Sequence, residues 1–238
     1  MPSRLLVALA FLLSLMAVPA RPASAHTLFF RHDAGAWRLV QGHPGTPEAS
    51  PLREPVAIRL WIVTPDTLVP FPSLPPNGTS VPDAALPPSA VGLLAAVDWG
   101  VWTKTPEGTR HAPPDSVDDP LESWRSRETL LQLFHPAAVP PLPGRHLEIR
   151  PLSPPDRWRR GRKLRVRLTR DGRPLPGVTV AYDHRARGTT GRDGTINVRL
   201  RHAGWQAIAG SLRLPPPAGS PVATVLAATL VFPLEDRP

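Results

Sequence analysis

The segment Asp171-Gly-Arg-Pro-Leu-Pro-Gly-Val-Thr-Val180, followed by Thr190-Gly-Arg-Asp-Gly194, decides the fold of this chain. Asp171-Gly172 and Asp193-Gly194 are turn signals, because aspartate and glycine tolerate the left-handed backbone that tight hairpins require. Just before the segment, apolar residues alternate with arginines from Leu164 to Leu168, as on a strand with one solvent-exposed face. These features predict short antiparallel strands joined by tight turns.

The part of the chain from residue 146 to 238 is the more regular one. It is predicted to hold six strands at even spacing, over residues 147–151, 164–169, 178–182, 195–200, 205–211 and 223–232. The combined pattern resembles small immunoglobulin-like or carboxypeptidase-regulatory-like β-sandwiches. That resemblance implies a fold and carries no information on activity.

The preceding part, residues 26–145, is predicted to be a separate, irregular β-rich domain. Its strand-like stretches are residues 27–31, 37–41, 56–64 and 93–103. A proline-rich segment, residues 65–89, predicts a long surface loop or insertion, because proline cannot maintain a regular hydrogen-bond ladder. Residues 122–134 are the one helix candidate, with a strand ending at His135 as the alternative. With 34 prolines and 17 glycines, the chain is expected to be all-β.

Residues 1–25 have the composition of a cleavable secretory signal. Arg4 supplies positive charge, an apolar run follows from Leu5 to Val18, and Ala23-Ser24-Ala25 is an A-x-A cleavage site. No later apolar stretch approaches the length of about 20 residues that a membrane-spanning helix needs. The mature protein, beginning at His26, is therefore predicted to be periplasmic and to lack an integral membrane span.

The charge and the cysteine content restrict the chemistry. The chain carries a formal net charge of +9 and no cysteine, so any metal must be held by nitrogen and oxygen ligands. Much of the positive charge lies in residues 157–167. The alternation within that run favours a solvated strand face over a surface for nucleic acid or anionic lipid, and we expect no nucleic-acid partner.

The histidines are the candidate functional residues. After cleavage, His26 would offer a metal both its α-amine and its Nδ1. The pKa values of a free α-amine and an imidazole are about 8 and about 6.5, so a metal can displace their protons at neutral pH. His43 lies between glycine and proline in Gln41-Gly-His-Pro-Gly45, and a hairpin across residues 33–36 would return it towards His26. His32 is the third candidate ligand, and His111 or His135 could complete the shell. The remaining histidines, His146, His184 and His202, are predicted to be surface residues of the sandwich.

Enzymatic signatures are missing from the sequence. There is no G-x-S-x-G, H-E-x-x-H, P-loop or G-x-G-x-x-G motif. Helix capping and a solvated face explain the carboxylates Asp115, Asp118, Asp119, Glu122 and Glu128 without catalysis. Trp99 and Trp102 either wall a pocket or, more commonly for such residues, fill a small β core. We therefore expect a protein that is not an enzyme.

The order of several motifs resembles the NikK-like family of periplasmic nickel and cobalt uptake accessory proteins, long catalogued as a domain of unknown function. The motifs are the leader ending before His26, Gly42-His43-Pro44, Trp99–Gly108, Glu122–Ser126, Leu147–Leu152, the turn-rich segment Asp171–Val180 to Trp205, and Ala228–Phe232. The resemblance implies a protein that binds a divalent transition metal and passes it to an uptake transporter or receptor in the cell envelope. The family's N-terminal histidine corresponds to His26 and its Gly-His pair to His43.

Two alternative functions stay open at this point. One is a non-catalytic exported interaction module of the cell envelope. The other is a copper-binding histidine brace formed by His26 and His43, although the only tyrosine, Tyr182, falls in the predicted sandwich. Nickel or cobalt is the expected metal, with copper and zinc as alternatives, because a nitrogen and oxygen shell alone does not choose among these ions.

Overall fold

A computed structural model describes residues 27–46, 48–52, 57–72, 80–143 and 146–235. These residues form an all-β structure, as predicted, and their only helical elements are three short 3-10 segments at Asp83–Ala85, Pro114–Ser116 and Pro155–Arg157. The strands are β1 (Thr27–Asp33), β2 (Ala36–Gly42), β3 (Ala49–Pro51), β4 (Ala57–Val63), β5 (Leu68–Phe71), β6 (Ser80–Pro82), β7 (Gly92–Thr105), β8 (Gly108–Arg110), β9 (Glu122–Leu133), β10 (Leu147–Pro151), β11 (Lys163–Arg170), β12 (Arg173–Pro174), β13 (Thr179–Tyr182), β14 (Arg185–Thr189), β15 (Thr195–Arg199), β16 (Gly204–Leu214) and β17 (Val222–Leu234).

A nine-stranded sheet in the order β14-β13-β16-β17-β9-β7-β4-β5, with β8 beside β7, forms the middle layer. One of its faces packs against the sheet of β1, β2, β3 and β6, around buried residues such as Leu28, Phe30 and Leu130. The other face packs against the sheet of β10, β11, β12 and β15, around residues such as Leu131 and Leu168. The molecule therefore has three β layers and two hydrophobic cores.

The middle sheet contains strands from both predicted parts of the chain, whose predicted boundary lies between residues 145 and 146. Strand β9 from the first part pairs in parallel with β17 from the second, from Ser123↔Val222 to Gln132↔Val231. Every other pairing in this sheet is antiparallel within the residues described. The boundary thus divides the chain into two segments that share one sheet.

The helix candidate at residues 122–134 is a strand, β9, so the alternative prediction was right. Leu130 faces one hydrophobic core and Leu131 faces the other. A strand that is buried on both faces has a continuous apolar run instead of an alternating one, and such a run cannot be told from a buried helix by periodicity. The three-layer arrangement is what made this segment ambiguous.

The structure confirms one further strand prediction and corrects another. The alternation at Leu164, Val166 and Leu168 lies on β11, with these three side chains buried. Where it is described, the proline-rich segment is more regular than the predicted loop, since β5 pairs with β4 and β6 pairs with β2; residues 73–79 of this segment lie outside the described residues. Trp99 fills the core below the first sheet, where it is 7% exposed. In the described ranges, no helix is long and apolar enough to cross a membrane.

The first hairpin is held against the middle sheet by polar side chains. Strands β1 and β2 pair from Thr27↔Gly42 to Asp33↔Ala36, which confirms the predicted hairpin. The outer edge of β1 is bonded by Gln132, whose side chain accepts from the Phe30 N–H at 2.6 Å and donates to the Phe30 carbonyl at 2.8 Å. This clamp fixes where the open end of the hairpin lies.

Candidate metal site

Gly42 ends β2 in a conformation that few other residues can adopt. Its φ is +154°, and a Cβ placed there would lie 2.5 Å from the Glu48 carbonyl oxygen. Glycine lets the backbone turn away at this point. His43 follows at once, and its carbonyl accepts hydrogen bonds from the Thr46 N–H and hydroxyl, which closes a tight turn. The chain therefore presents His43 on a fixed turn at the open end of the hairpin.

A second turn, from the other part of the chain, meets this one. Asp183 and His184 connect β13 to β14, and both are in the left-handed region, with φ values of +48° and +62°. Two-residue hairpins with a type I′ turn need positive φ at both positions, a requirement usually met by Asn-Gly or Asp-Gly. Histidine is among the non-glycine residues that accept this conformation. The turn therefore carries an imidazole at a position where glycine is common.

The two turns bring the imidazoles of His43 and His184 into contact. His43 Nδ1 lies 2.7 Å from His184 Nε2, and the rings meet edge to face with centroids 4.4 Å apart. One imidazole donates and the other accepts, since a neutral ring carries one N–H and one lone pair. Burial and the neighbouring His43 lower the pKa of His184, against the opposing effect of Asp183. His184 is therefore favoured in the neutral form that metals bind.

A metal ion bound by both nitrogens would lie beside the line that joins them, so each imidazole has to turn to point its lone pair at the ion. Transition-metal bonds to imidazole are about 2.0–2.1 Å long, so two donors at a right angle around one ion lie about 2.9 Å apart. The observed separation of 2.7 Å is close to that value. Both histidines remain partly accessible to solvent. The arrangement offers two imidazole ligands and an open side for others.

His26 lies outside the described residues. Its neighbour Thr27 is described, and it pairs with Gly42, the residue before His43. Successive Cα atoms along a chain are about 3.8 Å apart. The first pair of the β1–β2 ladder, Thr27↔Gly42, is therefore adjacent in sequence to His26 and His43, the two predicted ligands.

His32 is placed elsewhere. It pairs with Trp37 near the closed end of the hairpin, and Trp37 is six residues from His43 along the chain. Strands rise about 3.4 Å per residue, so His32 and the turn of His43 lie about 20 Å apart. The His32 imidazole contacts the Asp83 carboxylate at 2.8 Å and packs on the Trp37 ring. The structure therefore does not bring His32 and His43 to one ion.

The other candidate histidines also lie apart from this pair. His111 stacks on Trp102, with ring centroids 4.7 Å apart, and His135 approaches the carbonyl of Pro136. Among the residues that the structure describes, no three histidine or carboxylate side chains are grouped as a metal site. The site supported by the described residues is thus the pair of His43 and His184.

The sequence predicts His184 to be a surface residue of the sandwich, and its contact with His43 was not predicted. Its partner is 141 residues away in the chain, and no local pattern reports such a contact. The signal that was available is the Asp183-His184 dipeptide between two strands, at a position where hairpins prefer Asp-Gly. Asp183 is also engaged, since its carboxylate contacts His202 Nε2 at 2.8 Å.

Glu128 is a second residue whose role differs from the predicted solvated face. It lies on β9, on the face of the middle sheet that β1 covers. The Trp99 side chain and the Leu28 N–H hydrogen-bond to it there. Burial outweighs these two bonds and raises the pKa of Glu128 to about 7. Near neutral pH this carboxyl group therefore takes up a proton easily.

Comparison with known proteins supports one family. Residues 24–213 match the family described as Domain of unknown function (DUF4198), and this match spans both segments of the chain. The chain therefore belongs to the DUF4198 family. No curated protein and no solved structure matches it.

Proposed function

We propose that this protein is an exported, non-enzymatic carrier that binds a divalent transition metal, nickel or cobalt, and delivers it to an uptake system. The ligands in this proposal are the α-amine and imidazole of His26, the imidazole of His43 and the imidazole of His184. The observation that carries it is the 2.7 Å approach of His43 Nδ1 to His184 Nε2 at the open end of the first hairpin.

Three features of the chain support the proposal. The register of β1 and β2 starts one residue from His26 and one from His43. Two consecutive non-glycine residues, Asp183 and His184, adopt positive φ angles, a conformation that often accompanies functional sites. The sequence has no cysteine that would compete for the metal. A shell of nitrogen donors suits Ni(II), Co(II), Cu(II) and Zn(II).

The delivery step rests on the resemblance to NikK-like periplasmic proteins of nickel and cobalt uptake. In that role the binding site must be accessible, because the metal has to be handed to a transporter or receptor. Both imidazoles of the pair are partly exposed, which suits such a transfer. A buried site of the resident-cofactor type would not release its ion readily.

A role as an envelope interaction module is the second candidate, and one surface favours it. A shallow basic depression lies at one end of β11 and β15, lined by Arg157, Arg159, Arg162, Lys163 and Arg199, with Asp156 as the acidic member. Such a surface attracts an acidic partner. This role and metal carriage are compatible, since a carrier also has to dock on its receptor.

The copper histidine brace receives less support. Its axial ligand would have to be Tyr182, which is fully buried. The Tyr182 hydroxyl bonds to the Gln206 side chain and accepts from the Arg201 N–H. That hydroxyl is already engaged on the protein side. Failure to generate peroxide with copper and a reductant would remove this function from consideration.

Calorimetric titration of the mature chain tests the proposal. Mass spectrometry first establishes that the exported protein begins at His26, and Ni²⁺, Co²⁺, Cu²⁺ and Zn²⁺ are then titrated into it. We expect one site per chain, and we expect a version with one alanine before His26 to bind at least about tenfold more weakly, because an acylated nitrogen is not a basic amine.

The matched control for this titration is His32→Gln, which removes a histidine from the same hairpin but not from the pair. It is expected to leave the affinity unchanged, whereas His43→Gln should weaken binding at least about tenfold. Equal affinity of the parent protein and His43→Gln would refute the proposed site. Equal affinity of the parent and the alanine-extended version would refute the amine ligand alone.

A further inference from the structure

A cleft with a volume of about 300 Å³ lies on the face of the middle sheet that the β10–β11 sheet covers. The covering sheet ends at its edge strand β10, and β4 and β7 of the middle sheet line the cleft there. Small-molecule sites in proteins begin at about this volume. The cleft shares no lining residue with the histidine pair, so a ligand bound here would not touch the proposed metal ligands.

The floor of the cleft follows from the strand register. Ala96 on β7 is paired with Arg59 on β4 and with Thr129 on β9, so these three residues form one row across the sheet. Adjacent strands are about 4.8 Å apart, which places Arg59 and Thr129 about 10 Å from each other on either side of Ala96. The small alanine side chain leaves the middle of the row open.

The neighbouring rows give the cleft an apolar end and a charged end. Trp61 and Leu94 form the row on one side of Ala96, and Asp98 and Arg127 form the row on the other.

Asp98 is held by Arg125 through contacts of 2.8–3.2 Å and by Arg127 Nε at 3.3 Å. Burial alone would raise the pKa of Asp98, but these arginines and the Gly100 N–H outweigh it and lower the pKa. The carboxylate therefore stays ionised, and the arginines balance its negative charge. The Arg127 Nη atoms make no hydrogen bond with a described residue.

One buried hydroxyl in the cleft lacks the hydrogen-bond partner that such groups normally have, and one exposed cation in the same row, Arg59, is available to a ligand. Thr129 is 4% exposed, and its hydroxyl oxygen has no hydrogen-bond partner in the part of the chain described. Arg59 makes no ion pair with any described residue. A buried hydroxyl without a partner costs free energy that a bound ligand can recover. The free guanidinium is suited to bind a carboxylate through two parallel hydrogen bonds.

The carboxylate of Glu148, 4% exposed on β10, forms part of the opposite wall. It contacts the Thr169 hydroxyl at 3.5 Å. Its carboxyl oxygens accept hydrogen bonds, which favours a hydroxyl or amino substituent on that side. A ligand that fits all the walls therefore has one carboxylate, one adjacent donor group and an apolar body for Trp61 and Leu94.

We propose that this cleft binds a small carboxylic acid that carries a hydroxyl or amino group beside the carboxylate and an apolar side chain. Arg59 and Arg127 bind the carboxylate, and the Thr129 hydroxyl bonds the adjacent substituent. Trp61 packs against the apolar side chain. The ligand belongs to the class of 2-hydroxy and 2-amino acids.

The experiment uses L-phenyllactate and L-phenylalanine as probes, titrated into the mature protein by calorimetry and by heteronuclear NMR. The neutral analogue 3-phenylpropane-1,2-diol lacks the carboxylate and is expected not to bind. Arg59→Gln should weaken the binding of the acids at least about tenfold. Ala96→Leu fills the floor and should abolish binding, and NMR shows that the variant is folded.

Arg192→Gln is the matched control, because Arg192 is exposed in a turn and does not line the cleft. It should bind the acids as the parent does. Three results would overturn the proposal: no binding of either acid at millimolar concentration, equal binding of the diol, or unchanged binding in folded Ala96→Leu. Each of them leaves the metal titrations unaffected, so the two proposals fail separately.

Discussion

His43 and His184 are 141 residues apart in the chain, and their imidazole nitrogens lie 2.7 Å from each other. The first belongs to a turn after β2 and the second to the turn between β13 and β14. Each turn is fixed by its own backbone: Gly42 has φ +154°, and His184 has φ +62°. The contact therefore depends on the packing of the first hairpin on the middle sheet, and it reports whether that packing is intact.

Gly42→Ala tests how far the position of His43 depends on glycine. A Cβ at this position would lie 2.5 Å from the Glu48 carbonyl oxygen, so the turn must shift. Gly35→Ala is the control, because its φ of +76° is strained for alanine but nothing lies within 4 Å of the added carbon. We expect Gly35→Ala to cost about 1–2 kcal/mol of unfolding free energy, and Gly42→Ala to cost about 1–3 kcal/mol more. Equal losses in denaturant titrations would contradict this account.

Glu128 should make the protein less stable as the pH rises. Its pKa is about 7 in the folded chain and near 4.5 when exposed, so between these values the folded state binds more protons than the unfolded state. The unfolding free energy should fall across that window by an amount on the order of 3 kcal/mol from this group. Glu128→Gln should remove that contribution. The difference between the two proteins from pH 4.5 to 7.5 is the measurement, and a constant difference would show that Glu128 is not responsible.

Thr129 and Thr103 form a matched pair for the cost of a buried hydroxyl. The Thr103 hydroxyl donates to the Ala112 carbonyl at 2.8 Å and lies 2.9 Å from the Ser123 hydroxyl, whereas the Thr129 hydroxyl has no partner among the described residues. Thr103→Val should therefore cost about 1–3 kcal/mol of unfolding free energy. Thr129→Val should be neutral or slightly stabilising. Thermal and denaturant unfolding compare the two, and a loss at Thr129 as large as that at Thr103 would contradict the assignment.

The longer strands of the outer sheets, β1, β2, β10, β11 and β15, could be predicted from the sequence. The hairpin over residues 33–36 follows from two strand-like stretches on either side of a turn, and β11 alternates because its arginines face solvent. Strand β9 was ambiguous, because Leu130 and Leu131 enter two different cores and the alternation disappears. Only the three-layer packing distinguishes that strand from a helix.

One of the two histidines of the candidate site could be predicted from the sequence, and the other could not. The flanking glycine and proline marked His43 as a turn residue, and the hairpin register brings the start of β1 beside it. His184 and the burial of Glu128 depend on contacts between distant segments, and the sequence contains no periodic signal for either of them. The parallel pairing of β9 with β17 joins the first part of the chain to the second, and the contact of His43 with His184 is made between these two parts.

Nickel titration of His184→Asn measures whether His184 is a metal ligand. Asparagine accepts the left-handed conformation of the Asp183-His184 turn, so this change removes the imidazole and keeps the backbone. NMR of the metal-free variant checks that the fold is retained. Calorimetry should then show that Ni²⁺ binds the mature variant at least about tenfold more weakly than the parent. An affinity equal to that of the parent, in a folded variant that begins at His26, would contradict the claim that His184 and His43 hold the metal together.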